Sequence, residues 1–337
     1  MNVAHVLASP DRTGQLPIED CGLLSYNSDI SFKRGATTTD TSFDIAYVGH
    51  YTQDTIVYPH TTRTVDGGAF YYGSHVAARM GLRVAVVTRL ARADWRVVDD
   101  LERLGVTVFA RATPASTCLR LIYPTANLDE RIIELTSSAG PFTVEQVSDV
   151  QARAFIVGAS VRGEVPAEVV EALAARGALI ALDAQGFIRI VRDGTLTLDD
   201  WPGKEAVLQH VTVFKTDAVE AQLLTGQSDR RAAAKRLAEY GPREVLLTHS
   251  GGVLVYHDGA FDEAPLVPRE LKGRSGRGDT CTAAYLSRRL TAPPADAVVW
   301  AAAVTSLKLE AEGPFRREMA EVETLYNKLH AQRGRSS

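Results

Sequence analysis

The chain has 337 residues, of which 45% are hydrophobic and 23% charged, with a formal net charge of −4. These proportions are ordinary for a globular protein and supply enough apolar material for one large domain or two smaller ones. The slight acidic excess argues against nucleic-acid binding, which usually needs a basic face. No apolar run approaches the roughly 20 residues of a membrane-spanning helix.

The three cysteines, Cys21, Cys118 and Cys281, are too few and too dispersed for a disulfide framework or a zinc site. A reducing, cytoplasmic setting is therefore the default expectation. Residues 1–42 show no sustained hydrophobic period, and we interpret them as a flexible or loosely attached extension. The sequence predicts a folded domain over 43–330 and a short tail over 331–337.

Strand-like and helix-like runs alternate through most of this domain, which predicts a mainly parallel sheet with helices on both faces. The runs predicted as strands are 43–49, 84–88, 155–158, 179–183, 211–214 and 244–248, the last followed by a hairpin through 253–256. The runs predicted as helices are 67–81, 99–105, 166–175, 217–224, 230–240, 294–309 and 319–329. Ligands of such sheets gather at the carboxyl ends of the strands, where Gly158, Asp183, Lys215 and Thr248 lie.

Residues 106–136 interrupt the alternation with three β-rich runs, 106–109, 116–123 and 131–135. We expect them to form a small antiparallel element that pairs with the strand of Asp54. A small sheet beside an α/β core is typical of a lid, with strands from about 50–66 and 106–136.

The most informative stretch runs from Gly273 to Leu286, where Gly276 and Gly278 precede a predicted helix. The unpaired N–H groups of a helix start, together with the helix dipole, suit a phosphate group. Asp279, in the first turn, would face the same place and could take a proton from a hydroxyl. On local pattern alone, a plain turn with Asp279 as a helix cap is the commoner case.

Five motifs in order make the chain resemble the ribokinase-like (phosphofructokinase-B type) carbohydrate kinases from about residue 44 to 315. They are Asp54, Gly67-Gly68 with Met80-Gly81, Asp217-x-x-Glu220, the Thr248–Gly251 loop, and the Gly273–Asp279 segment. The resemblance implies a three-layer α/β/α sandwich with a mainly parallel central sheet and a β-strand lid. It also implies ATP-dependent phosphorylation of a sugar or polyol hydroxyl.

Within that family the chain is most similar to myo-inositol kinases. The similar stretches are Val48-Gly49-His50-Tyr51-x-x-Asp54, Asp183-Ala184-Gln185-Gly186-Phe187-Ile188-Arg189, Phe214-Lys215-Thr216-Asp217 and Tyr256-His257. The resemblance therefore implies that the acceptor is myo-inositol or a related polyol.

The resemblance also implies roles for individual residues. Asp279 would be the base, and the backbone of Gly276, Arg277 and Gly278 would form the anion hole. The residues implied to bind the acceptor are Asp54, Gly67, Gly68, Tyr72, Gln185 and Arg189. Those implied to bind ATP are Lys215, Asp217, Glu220, Thr248, Gly251 and Ser275. Asp217 and Glu220 would hold Mg²⁺ largely through water, K⁺ is a candidate further cofactor, and a homodimer through the lid is the implied assembly.

Three positions depart from the family pattern: Tyr72 replaces an Asn, Gly273 an Asp and Arg277 an Ala. The guanidinium of Arg277 would point either at the phosphates or into solvent. Asp54 has the alternative of a solvent-facing strand end, Asp217 and Glu220 that of complementing a helix dipole, and Arg189 that of a structural role. His249 and His257 are interpreted as surface histidines of a hairpin.

Two other functions stay open at this point. A nucleoside or other sugar kinase of the same fold is compatible with the aromatic run Phe70, Tyr71 and Tyr72. A catalytically silent sensor of sugar or nucleotide is suggested by the three departures from the family pattern.

Overall fold

The computed structural model describes residues 42–125 and 131–333. Most of the predicted N-terminal extension (1–41) and the last four residues of the predicted tail (334–337) lie outside the described residues. The predicted start of the domain coincides with the first strand, which begins at Phe43.

The central sheet has nine strands, in the spatial order β15-β14-β13-β12-β9-β8-β1-β4-β5. They are β1 Phe43–Val48, β4 Val84–Ala91, β5 Thr107–Thr113, β8 Ala152–Val157, β9 Leu179–Asp183, β12 Val213–Asp217, β13 Glu244–Thr248, β14 Gly252–His257 and β15 Ala260–Pro265. All neighbours from β13 to β5 pair in parallel, while β14 and β15 extend one edge as an antiparallel hairpin.

Helices cover both faces of this sheet, because side chains along a strand alternate between the two faces. Ile45 and Tyr47 of β1 enter one core, and Ala46 and Val48 enter the other. The helices are α1 Ala69–Arg79, α2 Arg96–Arg103, α3 Val144–Val147, α4 Ala167–Ala174, α5 Gln185–Ile188, α6 Lys204–Leu208, α7 Ala218–Thr225, α8 Arg230–Ala238, α9 Arg277–Arg289, α10 Pro294–Leu309 and α11 Met319–Arg333, with a 3₁₀ turn at Arg92–Asp94. The result is the expected ribokinase-like three-layer sandwich.

A second, smaller sheet has the order β10-β11-β7-β6-β2-β3. It contains strands that the sequence predicts for the lid, and we refer to it by that name. Its strands are β2 Thr52–Tyr58, β3 Thr61–Gly67, β6 Thr117–Ile122, β7 Ile132–Ser137, β10 Arg189–Arg192 and β11 Thr195–Leu198. A small apolar cluster supports the sheet, made of Ile56, Leu119, Leu121 and Tyr123. Because this cluster lies apart from the two cores of the central sheet, the lid has its own packing.

The lid differs from the sequence expectation in three respects. The run predicted over 106–109 belongs to the central sheet as β5, since α2 returns the chain parallel to β4 in the usual crossover. The strand of Asp54 pairs with β6 in parallel, not antiparallel. The hairpin β10–β11 was not predicted, because two four-residue strands of mixed polarity give little periodic signal.

Two boundaries of the predicted helices differ by three residues or more. Helix α2 starts at Arg96, three residues before the predicted start, and α11 continues to Arg333 into the predicted tail. In the two described ranges, no helix combines the length and apolar character needed to cross a bilayer.

Helix α9 is held to the central sheet by a buried charged group. Glu244, at the start of β13, is 5% exposed. It accepts hydrogen bonds from Arg289 Nη2 at 2.7 Å and from the Tyr285 hydroxyl at 2.5 Å. Both partners lie near the end of α9, so this network fixes that end of the helix to the sheet.

We expect Arg289→Met to lower the free energy of unfolding by about 3 kcal/mol, because it leaves Glu244 as a buried charge without its cation. Urea denaturation would measure the change. The matched control is Arg236→Met, which breaks the exposed Arg236–Glu239 pair and should cost at most about 1 kcal/mol. Equal effects of the two substitutions would contradict the prediction.

Candidate active site

A cavity of about 330 Å³ is lined both by the carboxyl ends of the central strands and by the lid. Most residues predicted for the site line it: Asp54, Gly68, Tyr72, Gln185, Arg189, Lys215, Asp217, Glu220, Thr248, Ser275, Gly276, Arg277, Gly278 and Asp279. Gly67 and Gly251 do not. Gly67 packs against Asp54, where an added Cβ would lie 2.8 Å from Oδ2, and Gly251 donates its N–H to His249 Nδ1 at 3.2 Å.

Three neighbouring parallel strands deliver the polar floor of the cavity. In the register of the sheet, Lys215 of β12 lies beside Asp183 of β9, and Asp217 of β12 lies beside Thr248 of β13. Parallel strands end at the same edge of a sheet, so these polar side chains converge although they are far apart in sequence.

Lys215 is a buried cation surrounded by carboxylates. Its Nζ lies 3.0 Å from Asp183 Oδ2 and 3.9 Å from Glu220 Oε2, and the residue is only 4% exposed. Burial alone would lower the pKa of Lys215, but the charges of Asp183 and Glu220 outweigh burial and raise it above the usual lysine value. The ammonium therefore stays charged across the physiological pH range.

The Asp217–Glu220 pair caps helix α7. Asp217 Oδ1 accepts the N–H groups of Val219 and Glu220, both at 2.9 Å, and Glu220 Oε2 accepts the Asp217 N–H at 2.8 Å. The helix-terminus alternative is thus present in the structure, although both residues also line the cavity. Burial raises the pKa of Glu220 to about 7, partly offset by Lys215.

These two carboxylates also fit a hydrated Mg²⁺, which is usually held by one or two carboxylates and several waters. Across residues 42–125 and 131–333 there is no cluster of three or more His, Cys, Asp or Glu side chains that could cage a metal.

The start of helix α9 has the backbone form expected of an anion site. Gly276 is the cap residue with φ of 72°, and an added Cβ would collide with the ring of Tyr72, so only glycine fits there. One detail differs from expectation: the Arg277 N–H donates to Arg274 O at 3.2 Å and closes a turn. The backbone of Gly278 runs close to Lys215, where a Cβ would lie 2.8 Å from Nζ.

Asp279 lies in the first turn of α9 and lines the cavity. Burial raises its pKa to about 6, and nearby Asp183 adds to this rise. Lys215, Arg189 and Lys308 act in the opposite direction. The carboxylate is therefore a stronger base than a free aspartate and is still ionised at neutral pH.

Asp54 reaches the same cavity from the lid strand β2. Burial raises its pKa to about 6, while Thr52 and the cations Arg189 and Arg131 lower it. Its Oδ1 atom is buried, and none of the described residues gives it a hydrogen bond. A buried carboxylate oxygen without a donor is costly unless a ligand supplies one.

The Asp183–Arg189 stretch links the central sheet to the lid. Asp183 ends β9, the short helix α5 follows, and Arg189 begins the lid strand β10. Asp183 Oδ1 accepts the backbone N–H of Gln185 at 3.0 Å. The stretch therefore brings an acid, an amide and a guanidinium to one cavity wall.

Several lining residues had no role in the sequence prediction. Asp183 was noted as a strand end, and that position was the available signal. Arg131 and Ser160 carried no local signal. Arg131 reaches the cavity because it directly precedes the lid strand β7, and Ser160 because it lies in the loop after β8.

His249 and His257 do belong to the hairpin, but His249 is not a surface residue. It is 9% exposed, with Nε2 3.0 Å from Glu263 Oε1. His257 pairs with Asp262 at 2.8 Å. Both contacts tie β14 and its preceding turn to β15.

Comparison with known proteins gives the following similarities. The sequence profile described as pfkB family carbohydrate kinase matches residues 37–317. A curated cytidine kinase from Thermococcus kodakarensis is 26% identical over 257 residues, covering 72% of this chain and 87% of that protein.

Two solved structures are more similar. One is the sulfate complex of a pyrophosphate-dependent kinase in the ribokinase family, 34% identical with a TM-score of 0.78, covering 82% of this chain and 99% of that chain. The other is a pyrophosphate-dependent kinase in the ribokinase family complexed with a pyrophosphate analog and myo-inositol. It is 33% identical with a TM-score of 0.77, covering 83% of this chain and 99% of that chain.

We expect Asp279→Asn to raise the melting temperature at pH 8. The folded state raises the pKa of Asp279 above its ordinary value of 3.8, so the ionised carboxylate reduces stability above pH 6. Between about pH 6 and pH 4 the folded protein protonates Asp279 more readily than the unfolded chain does. The increase in melting temperature caused by Asp279→Asn should therefore be smaller at pH 5 than at pH 8. Thermal unfolding of both proteins at pH 5 and pH 8 would measure it.

The control is Asp100→Asn on the exposed side of α2, which should change the melting temperature equally little at both pH values. A stabilisation by Asp279→Asn that is the same at pH 5 and pH 8 would contradict the linkage.

Proposed function

Because the chain belongs to the pfkB family of carbohydrate kinases, we propose that it phosphorylates a hydroxyl of a cyclitol, with myo-inositol as the leading acceptor. The observation that carries the proposal is that Asp54 from the lid and Asp279 from the start of α9 line one cavity. A polyol held by the first carboxylate would lie within the space that the second one faces.

The unpaired Oδ1 of Asp54 supports a polyhydroxylated acceptor. A carboxylate can accept hydroxyl hydrogen bonds at both oxygens, and adjacent hydroxyls of a cyclitol offer two such donors. Gln185 and Arg189 line the same wall and add further donors. The myo-inositol complex of the 33% identical kinase supports the same acceptor class.

In the proposed reaction Asp279 accepts the proton of the attacked hydroxyl as the oxygen bonds to phosphorus. Its raised pKa makes it a better proton acceptor while leaving it ionised at neutral pH. The start of α9 and the ammonium of Lys215 stabilise the charge that develops on the transferred group. Bound Mg²⁺ would neutralise phosphate oxygens, and Asp217 and Glu220 are the residues that would hold it through water.

The donor expected from sequence was ATP, but two observations favour pyrophosphate. Apart from the ring of Tyr72 on Gly276, the lining residues around the start of α9 are polar or glycine. The other apolar lining residues belong to the lid, to α1 and to the loop after β8. A nucleotide base would gain little apolar contact from such a wall. The two solved kinases at 33% and 34% identity are pyrophosphate-dependent.

We expect myo-inositol and pyrophosphate with Mg²⁺ to give an inositol monophosphate and one orthophosphate per turnover. Asp279→Asn should slow turnover by about 10³-fold, because it removes the proton acceptor. The measurement is product formation by phosphorus NMR over a panel of cyclitols, pentoses, hexoses and cytidine, each with pyrophosphate and with ATP.

The panel separates the alternatives. If myo-inositol is phosphorylated with ATP but not with pyrophosphate, the donor assignment is wrong and the acceptor assignment stands. Turnover of cytidine or a pentose in preference to every cyclitol would overturn the acceptor. Rates no higher than those of Asp279→Asn on every acceptor would favour the silent sensor.

We expect Arg277→Ala to raise the KM for pyrophosphate by about 10–100-fold, the value of one hydrogen bond to a charged group. Arg277 lines the cavity in the first turn of α9, where its guanidinium would meet the donor. The KM for myo-inositol should stay unchanged in steady-state assays. Arg103→Ala, an exposed arginine on α2, is the control, and an equal rise in both KM values would place Arg277 outside the donor site.

The homodimer through the lid remains a prediction. Three apolar residues of the lid strands are well exposed, namely Ile132 at 45%, Val191 at 43% and Leu198 at 43%. Exposed apolar residues on one sheet are what a partner subunit would cover.

A further inference from the structure

Lys308 is a buried lysine whose side chain has almost no contact with solvent. It lies near the end of α10 and is 2% exposed. Burying an ammonium is costly unless polar partners replace water. Its partners therefore indicate what the charge does.

Those partners are the carbonyl oxygens of the loop that leads into α9. Lys308 Nζ donates to Gly273 O at 2.7 Å and to Ser275 O. The ring of Tyr72 lies beneath the same ammonium, with its centroid 5.6 Å from Nζ. Two carbonyl dipoles and one aromatic face thus replace the hydration of the cation.

The same loop is tied down at its other contacts. The N–H groups of Lys272 and Gly273 donate to Leu309 O, at 2.9 and 3.0 Å. The ring of Tyr72 also packs directly on Gly276. Lys308 and Tyr72 therefore contact the loop residues that directly precede α9 and hold them in position.

We propose that the ammonium of Lys308 is a built-in cation that positions the Gly273–Gly276 loop and so aims the start of α9 at the transferred phosphoryl group. Carbonyl oxygens arranged around a monovalent charge are also how proteins replace the hydration shell of K⁺. Because the ammonium is part of the protein, an added monovalent metal is unnecessary at this place. The K⁺ that the family resemblance made a candidate cofactor is therefore not required. Lys308 is a positioning residue, since it acts through the loop.

The charged state of Lys308 supports this assignment. Burial lowers its pKa to about 8, while Asp279 of α9 and Glu312 after α10 oppose that fall. These two carboxylates and the Tyr72 phenol are the titratable groups around the ammonium. Near pH 7 the cation is therefore retained.

The first test uses the native enzyme and rests on the kinase activity proposed above. Turnover is measured with the acceptor that the panel identifies, in buffers containing sodium, potassium or tetramethylammonium chloride. We expect equal kcat in all three. Activation by potassium in the native enzyme would overturn the inference, because a second cation would then be needed.

The second test compares two variants that differ in the space they leave. Lys308→Met fills the site without charge, and Lys308→Ala leaves room for an ion. We expect each to lower kcat by about 10–100-fold with little change in KM, because the loop loses its fixed position. Potassium, ammonium or methylammonium should restore several-fold activity to the Ala variant and none to the Met variant.

Lys204→Met is the matched control, since Lys204 is also largely buried but pairs with Asp200 away from the cavity. It should leave kcat unchanged in every buffer. Suppose that Lys308→Ala loses activity, that no cation restores it, and that its melting temperature stays that of the native protein. The proposal that the Lys308 ammonium acts as a cation for the loop would then be wrong.

A readout that needs no acceptor keeps this inference separate from the proposed function. In Lys308→Met, amide hydrogen exchange of residues 273–279 should be faster than in the native protein, and exchange in α8 should be unchanged. Unaltered exchange of that segment would contradict the positioning role even if the acceptor assignment proves wrong.

Discussion

The buried ion pairs of Lys215 with Asp183 and Glu220 are the interaction on which the cavity depends. The ammonium of Lys215 lies between Asp183 and Glu220, and all three side chains are less than 10% exposed. Opposite charges at this distance offset the cost of burial that each would meet alone. Without the central cation, Asp183 and Glu220 would be two like charges buried side by side, which is unfavourable.

Acidic and basic side chains are also equal in number over the whole cavity. Five acidic side chains line it together with five basic ones: Asp54, Asp183, Asp217, Glu220 and Asp279 with Arg131, Arg189, Lys215, Arg274 and Arg277. Burial makes Asp54 and Asp279 weak acids, while the cations keep their pKa values near 6 and no higher. Each carboxylate can therefore accept a hydrogen bond or a proton at neutral pH.

Two lysines act on the start of α9 from different sides. Lys215 approaches the backbone of Gly278, and Lys308 holds the carbonyls that precede Gly276. Both also lower the pKa of Asp279. The far end of the helix is fixed by Glu244 and Arg289. Helix α9 is thus anchored at both ends, so its first turn is held in place before any ligand binds.

The sequence by itself determined the layered α/β architecture and identified most of the polar residues that line the cavity, because strand and helix periods and the glycine-flanked Asp279 are local patterns. Several of the fourteen predicted residues that line one cavity, among them Asp217, Thr248 and Asp279, lie at strand ends or helix starts, where position along the chain predicts position in space. What only the tertiary structure decided depends on contacts between distant segments. The pairing of β5 with β4, the parallel pairing of β2 with β6, and the arrival of Arg131 at the cavity are of this kind. So is the role of Lys308, which in sequence is one more residue of α10. Its ammonium meets the loop 33 residues away only after α9 and α10 have packed together.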